Sequence, residues 1–117
     1  MEQFDKQKRL VEQTRELISK DFGLEIGQEP MTEEQLFELL ADAVAYMIEH
    51  RLDFLLSLLY RLDVDEQKIN FALSPLAKDP ANIELARLIF ARQKQRIFTK
   101  QYYKQSKLDD LEEGLEF

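Results

Sequence analysis

Residues 51–64, RLDFLLSLLYRLDV, decide how this chain folds. The leucines at 52, 55, 56, 58, 59 and 62, with Phe54 and Val64, make it the most apolar run of the sequence. A membrane-spanning helix needs about 20 largely uncharged residues. Arg51, Asp53, Arg61 and Asp63 interrupt this run, so it does not cross a bilayer. At about 100° per residue, Leu52, Phe54, Leu55, Leu56, Leu58, Leu59 and Leu62 cover an apolar arc of roughly 200°. Asp53, Ser57, Tyr60 and Arg61 share the remaining strip. A helix wet on so narrow a strip packs against two or more neighbours, which marks it as the central helix of a bundle.

The flanks agree. Residues 3–22 read as a first amphipathic helix, with Phe4, Val11, Ile18 and Phe22 on one stripe and Leu10 and Leu17 beside it. Gly23 and Gly27 bracket an irregular connection to Pro30. Thr32 with Gln35 forms a capping box, and Leu36, Leu40, Ala43, Val44, Met47 and Ile48 follow at helical spacing. EHRL, 49–52, holds neither Gly nor Pro, yet a turn near His50–Asp53 is required if the two helices pack together. Asp63 with Glu66 resembles a second capping box for a short helix through Leu73, which ends before Ser74–Pro75. Asp79 and Pro80 suit an N-cap and first helical residue, and the last helix reads from Pro80 to about Gln105. Its stripe is Ile83, Ala86, Phe90 and Ile97, widened by Leu85, Leu88 and Ile89. Residues 108–117 are acidic without a continuous stripe and read as a flexible tail after one domain, 1–107.

Composition supports the same class. A chain of 117 residues has room for one core. At 44% apolar and 33% charged it is neither a disordered polyelectrolyte nor a membrane protein. Gly and Pro number three each, while Leu, Glu, Gln, Lys and Ala abound, which favours helix throughout. The expected fold is therefore all-α, a single-domain bundle of four to five helices with a long C-terminal helix. Its expected core includes Leu40, Val44, Met47, Leu55, Leu56, Leu59, Ile69, Phe90 and Ile97. The lack of Cys excludes disulfides, thiolate metal sites and cysteine nucleophiles, and agrees with a reducing compartment. MEQFDKQKRL is charged from residue 2 and lacks the apolar segment of a signal peptide, so the cytoplasm is the expected location.

Segment 58–69, LLYRLDVDEQKI, with PANIELARLIFARQKQ at 80–95, resembles a pattern in small uncharacterised helical proteins of bacteria. The resemblance covers the middle two-thirds of the chain and contains no catalytic signature. It implies a stand-alone bacterial cytoplasmic protein and no activity.

Charge is the strongest asymmetry. The chain carries a net −7, yet from Glu84 to Lys107 seven cations face one carboxylate. From Glu29 to Glu66, ten carboxylates face two arginines. The two segments complement one another if packed side by side. The basic helix also offers a candidate partner surface: Arg92, Arg96, Phe98, Lys100, Tyr102, Tyr103 and Lys104. Cations there suit phosphates or an acidic protein, and aromatic faces suit stacked bases. An acidic total opposes a polyanion at long range, so a protein partner ranks above nucleic acid.

Other motifs carry less. Three L-x-x-L-L matches, at 36–40, 52–56 and 55–59, are the pattern a docking helix uses, but these leucines are needed for the core. His50, with Tyr46 and Asp53 one turn away on either side, is the only histidine. No second His completes a metal pair, and no Gly-flanked Ser nucleophile exists. Glu34, Glu38 and Asp42, and again Glu49 and Asp53, recur at four-residue spacing as a solvated acidic face, without the Glu-x-x-His of di-iron bundles. The sequence thus points to a non-catalytic protein-interaction or regulatory module without cofactor or metal, with nucleic-acid binding as the alternative. Ile97, Phe98, Tyr102 and Tyr103 extend beyond a compact bundle; either the first helix hides that surface within one chain or a two-fold mate pairs with it, and a homodimer is expected. Repulsion among Arg96, Lys100 and Lys104 opposes close antiparallel pairing unless acidic segments of the mate lie alongside.

Overall fold

The computed structural model describes the backbone of residues 2–115 and the side chains of residues 6–102. Five helices run in order: α1 (Glu2–Phe22), α2 (Glu33–His50), α3 (Leu52–Arg61), α4 (Glu66–Ala72) and α5 (Ala81–Leu115). No strand occurs among the described residues, so the fold is an all-α bundle with a long last helix. Helix α5 runs past its expected end near Gln105 to Leu115, so the backbone of 108–115 is helical where a tail was expected, and residues 116–117 lie outside the described residues.

Local chemistry sets each boundary. Gly23 takes φ 63° after α1, and the Leu24 N–H reaches back to the Ser19 carbonyl at 3.1 Å. Only a residue without Cβ adopts that left-handed conformation freely. The Thr32–Gln35 box opens α2 as expected: the Gln35 N–H donates to Thr32 Oγ1 at 3.1 Å, and the Thr32 N–H to Gln35 Oε1 at 3.0 Å. A single residue, Arg51 (φ −143°, ψ 48°), separates α2 from α3 and lets the two pack together. Its N–H still closes on the Met47 carbonyl, its carbonyl opens α3 by accepting the Leu55 N–H, and its guanidinium lies 4.2 Å from the Phe54 ring centre. The backbone thus turns a corner with both the N–H and the carbonyl of Arg51 paired.

Two expected caps are relocated. Asp63 does not start α4; it follows α3 in the left-handed region at φ 61°. The Asp63 N–H donates to the Tyr60 carbonyl and the Val64 N–H to the Leu59 carbonyl, the double bond pattern of a Schellman stop. Asp65 caps α4 instead, accepting the Gln67 N–H at 2.9 Å. At the start of α5, the Asp79 carboxylate is taken by Arg87 at 2.6 Å rather than by backbone amides. Pro80 supplies the first helical acceptor, bonded by the Ile83 and Glu84 N–H groups.

The hub of the bundle is α5, not α3. Helices α1, α2 and α4 all pack on α5, whereas α3 packs chiefly on α2. Length explains the difference. A ten-residue helix spans about 15 Å and a 35-residue helix about 52 Å, so α5 has the length to pack on α1, α2 and α4 while α3 does not. Leu85, Ala86 and Ile89 of α5 are wholly buried and meet Ile18, Leu36, Leu40, Val44, Leu55 and Leu59 in one core. Of the expected core residues, Leu40, Val44, Met47, Leu55, Leu59, Ile69, Phe90 and Ile97 are buried. Leu56 is only half-buried, and Leu52 is exposed at the α3 entrance, because α3 has one main neighbour.

Candidate functional site

Two buried polar residues, Thr14 and Gln93, sit where α1 meets α5. The Thr14 hydroxyl satisfies itself on the Leu10 carbonyl at 2.7 Å. The Gln93 amide donates to Asp21 Oδ2 at 2.9 Å, and its Oε1 accepts from Arg96 Nη1 at 2.9 Å. Arg96 also reaches Asp21 at 2.9 Å, closing a three-member cluster with charge-assisted bonds. Among the described residues no buried side-chain nitrogen or oxygen lacks a partner. The cluster pins one end of α1 to α5.

From that pin a groove opens between the two helices, about 800 Å³ in volume. Its walls run from Lys20 towards Gln13 on α1 and from Arg92 towards Gln101 on α5, so the helices are antiparallel here. Leu17 and Ile97 supply an apolar floor. Lys20, Arg92, Arg96 and Lys100 line it against the single carboxylate Glu16. Arg92 is held in place by its Nε, which donates to the Leu62 carbonyl at the end of α3 at 2.6 Å. Set against Glu16 and the Asp21 carboxylate that Arg96 holds, these four cations leave the groove locally positive on a chain of net charge −7.

The structure divides the surface expected from sequence. Arg92, Arg96 and Lys100 gather in the groove. Phe98 and Tyr102, 59% and 73% exposed, lie on the outer side of α5, because each is two residues, about 160° around the helix, from Lys100. Ile97, expected on the same external patch, is instead buried beneath α1. Tyr103 and Lys104 lie outside the described side chains. The α1 contributors Leu17 and Lys20, and the polar pin Asp21–Gln93, were not anticipated. Thr14 and Gln93 did leave a trace: each is a polar residue interrupting an apolar stripe, between Val11 and Ile18 and between Ile89 and Ile97.

Elsewhere, acid and base meet as the segment charges foretold. Lys94 pairs with Glu33 of α2, its ammonium 5.0 Å from the Phe90 ring centre, and Phe90 meets Phe37 edge-on at 5.9 Å. His50 is a solvent-facing residue at the end of α2, its ring tilted against Tyr46 at 4.7 Å and its Nε2 3.8 Å from Glu49. The leucines of the L-x-x-L-L matches lie mostly in the core. Among the described residues no three His, Cys, Asp or Glu side chains gather as a metal site, and no helix is long and apolar enough to cross a membrane. No protein family, curated protein or solved structure matches this chain.

Proposed function

We propose that this chain is a non-catalytic protein-interaction module of the cytoplasm, and that its docking site is the α1–α5 groove. One observation carries the reading: Lys20, Arg92, Arg96 and Lys100 flank an apolar floor of Leu17 and Ile97. Paired antiparallel helices leave a groove into which a further helix packs, as in a bundle missing one member. The apolar floor asks for a leucine-type stripe, and the basic rim asks for carboxylates on either side of it. The occupant this chemistry recognises is an acidic amphipathic helix.

The same geometry weakens the nucleic-acid alternative. Phosphates would bind in the groove, yet Phe98 and Tyr102 stand on the other side of α5, where bases held by those phosphates do not reach them. A duplex also brings about one charge per 1.7 Å, against a chain whose total is already negative. Retention of cellular proteins on the immobilised chain, compared with a Lys20→Glu/Lys100→Glu variant and read by mass spectrometry, tests the site. Acidic helical partners lost only from the variant support the reading. Tight binding of single-stranded or duplex DNA with a steep salt dependence, abolished by the same variant, would replace it with the nucleic-acid alternative.

A further inference from the structure

We infer that the outer face of α5 is a self-pairing surface, on which two copies of this chain meet antiparallel with a two-fold axis between Lys94 and Gln95. Arg87, Ala91, Phe98 and Tyr102 lie within about 60° of one another around the helix, on the side opposite the wholly buried Ile89. All four are exposed. Lys94 and Gln95 flank this strip on its two rims. The steps from 87 to 91, 94 and 98 follow the i, i+4, i+7, i+11 repeat by which paired helices meet. The surface lies across α5 from the groove and does not depend on what docks there.

The strip selects a second copy because it is its own complement. Ala91 stands as far before the axis as Phe98 stands after it, and Arg87 as far before it as Tyr102 after it. Turned end for end, Ala91 leaves room for the ring of the partner's Phe98, and the Arg87 guanidinium meets the ring of the partner's Tyr102. Each contact occurs twice. Charge permits the approach: Arg87 is held by Asp79 at 2.6 Å and Glu84 at 3.6 Å, and Lys94 by Glu33. The two Lys94 side chains meet on one rim, each with its Glu33, so that rim holds two cations and two carboxylates. The two Gln95 amides meet on the other. Arg96 and Lys100 stand about 160° around α5 from Phe98, on the groove side, so their repulsion falls away from the contact. The four rings, each more than half exposed, offer roughly 400–650 Å². With the flanking side chains this makes an interface of the small class, and the dimer is weak and concentration-dependent.

Light scattering over a concentration series into the millimolar range tests the pairing, with far-UV dichroism confirming helicity. The mass should rise from the 13.9 kDa of one chain towards about twice that value. Phe98→Asp should hold it at one chain, and Lys20→Glu/Lys100→Glu should leave the rise unchanged. The chain has no Cys, so single cysteines read the register directly. Gln95→Cys should oxidise to a covalent dimer, because the two Gln95 positions adjoin across the axis. Thr99→Cys should not, since its two copies stand about 13 Å apart along the paired helices. A native mass that stays at one chain, a rise that survives Phe98→Asp, a rise abolished by Lys20→Glu/Lys100→Glu, or a disulfide at Thr99→Cys in place of Gln95→Cys overturns the pairing.

Discussion

The amide of Gln93 and the carboxylate of Asp21 meet at 2.9 Å across 72 positions of sequence, and the amide is wholly buried. This contact and the Arg96–Asp21 pair beside it give the helix seam directional bonds, tied together by the Arg96–Gln93 bond within α5. Directional bonds fix register where leucine packing tolerates sliding. Replacing Gln93 by Leu preserves bulk and strips Asp21 and Arg96 of their shared partner. The expected loss is about 1–3 kcal/mol, seen as a lower urea midpoint with an unchanged slope. A midpoint at or above the native value would show that the Gln93 bonds add nothing to packing and the remaining Arg96–Asp21 pair.

Leu59 and Leu56 are neighbours on α3 with different surroundings, one fully enclosed and one half-buried. Leu59→Ala should cost about 2–5 kcal/mol by leaving a cavity where the structure closes only partly. Leu56→Ala should cost clearly less, and Leu76→Ala, at 81% exposed, almost nothing. Equal losses for Leu56 and Leu59 in thermal or chemical melts would contradict the burial pattern.

Asp63 holds a left-handed conformation in the position where glycine usually ends a helix. Asp63→Gly should stabilise by up to about 1 kcal/mol, because relief of backbone strain outweighs the added freedom of the unfolded chain. Asp63→Val should destabilise, since a branched Cβ is strained there. The mirror test is Gly23→Ala at φ 63°: nothing stands within 4 Å of the added methyl, so any loss comes from backbone conformation alone. Differential scanning calorimetry in which Asp63→Val melts above the native chain would reject this account.

Thr32 and Asp65 cap α2 and α4 through bonds of 3.1 and 2.9 Å to Gln35 and Gln67. Thr32→Ala and Asp65→Ala should each cost about 0.5–2 kcal/mol. Asp63→Ala measures a helix stop and not a cap. Hydrogen exchange should show Asp65→Ala freeing amides at the start of α4 and leaving those of α2 protected; faster exchange in α2 alone would reverse the assignment of the cap.

The sequence by itself determined the helices. Periodicity over 33–50 and 81–97, the Thr32–Gln35 box and the scarcity of Gly and Pro are local signals, and helix formation is governed by local spacing and capping. It also determined that basic and acidic segments would meet, since opposite fields attract in any compact arrangement, as Lys94 and Glu33 do. Tertiary structure alone decided which helix is the hub. The wide apolar arc of 52–62 tells how much of that helix dislikes water but not how many neighbours it has, and a short helix cannot reach as many as α5 does. Only tertiary structure could part Phe98 and Tyr102 from Arg92, Arg96 and Lys100, because a position around an axis becomes a face only when the neighbouring helix is placed. The groove itself has the same origin: Lys20 and Lys100 lie 80 positions apart, and the docking of α1 through Asp21 and Gln93 brings them to one surface.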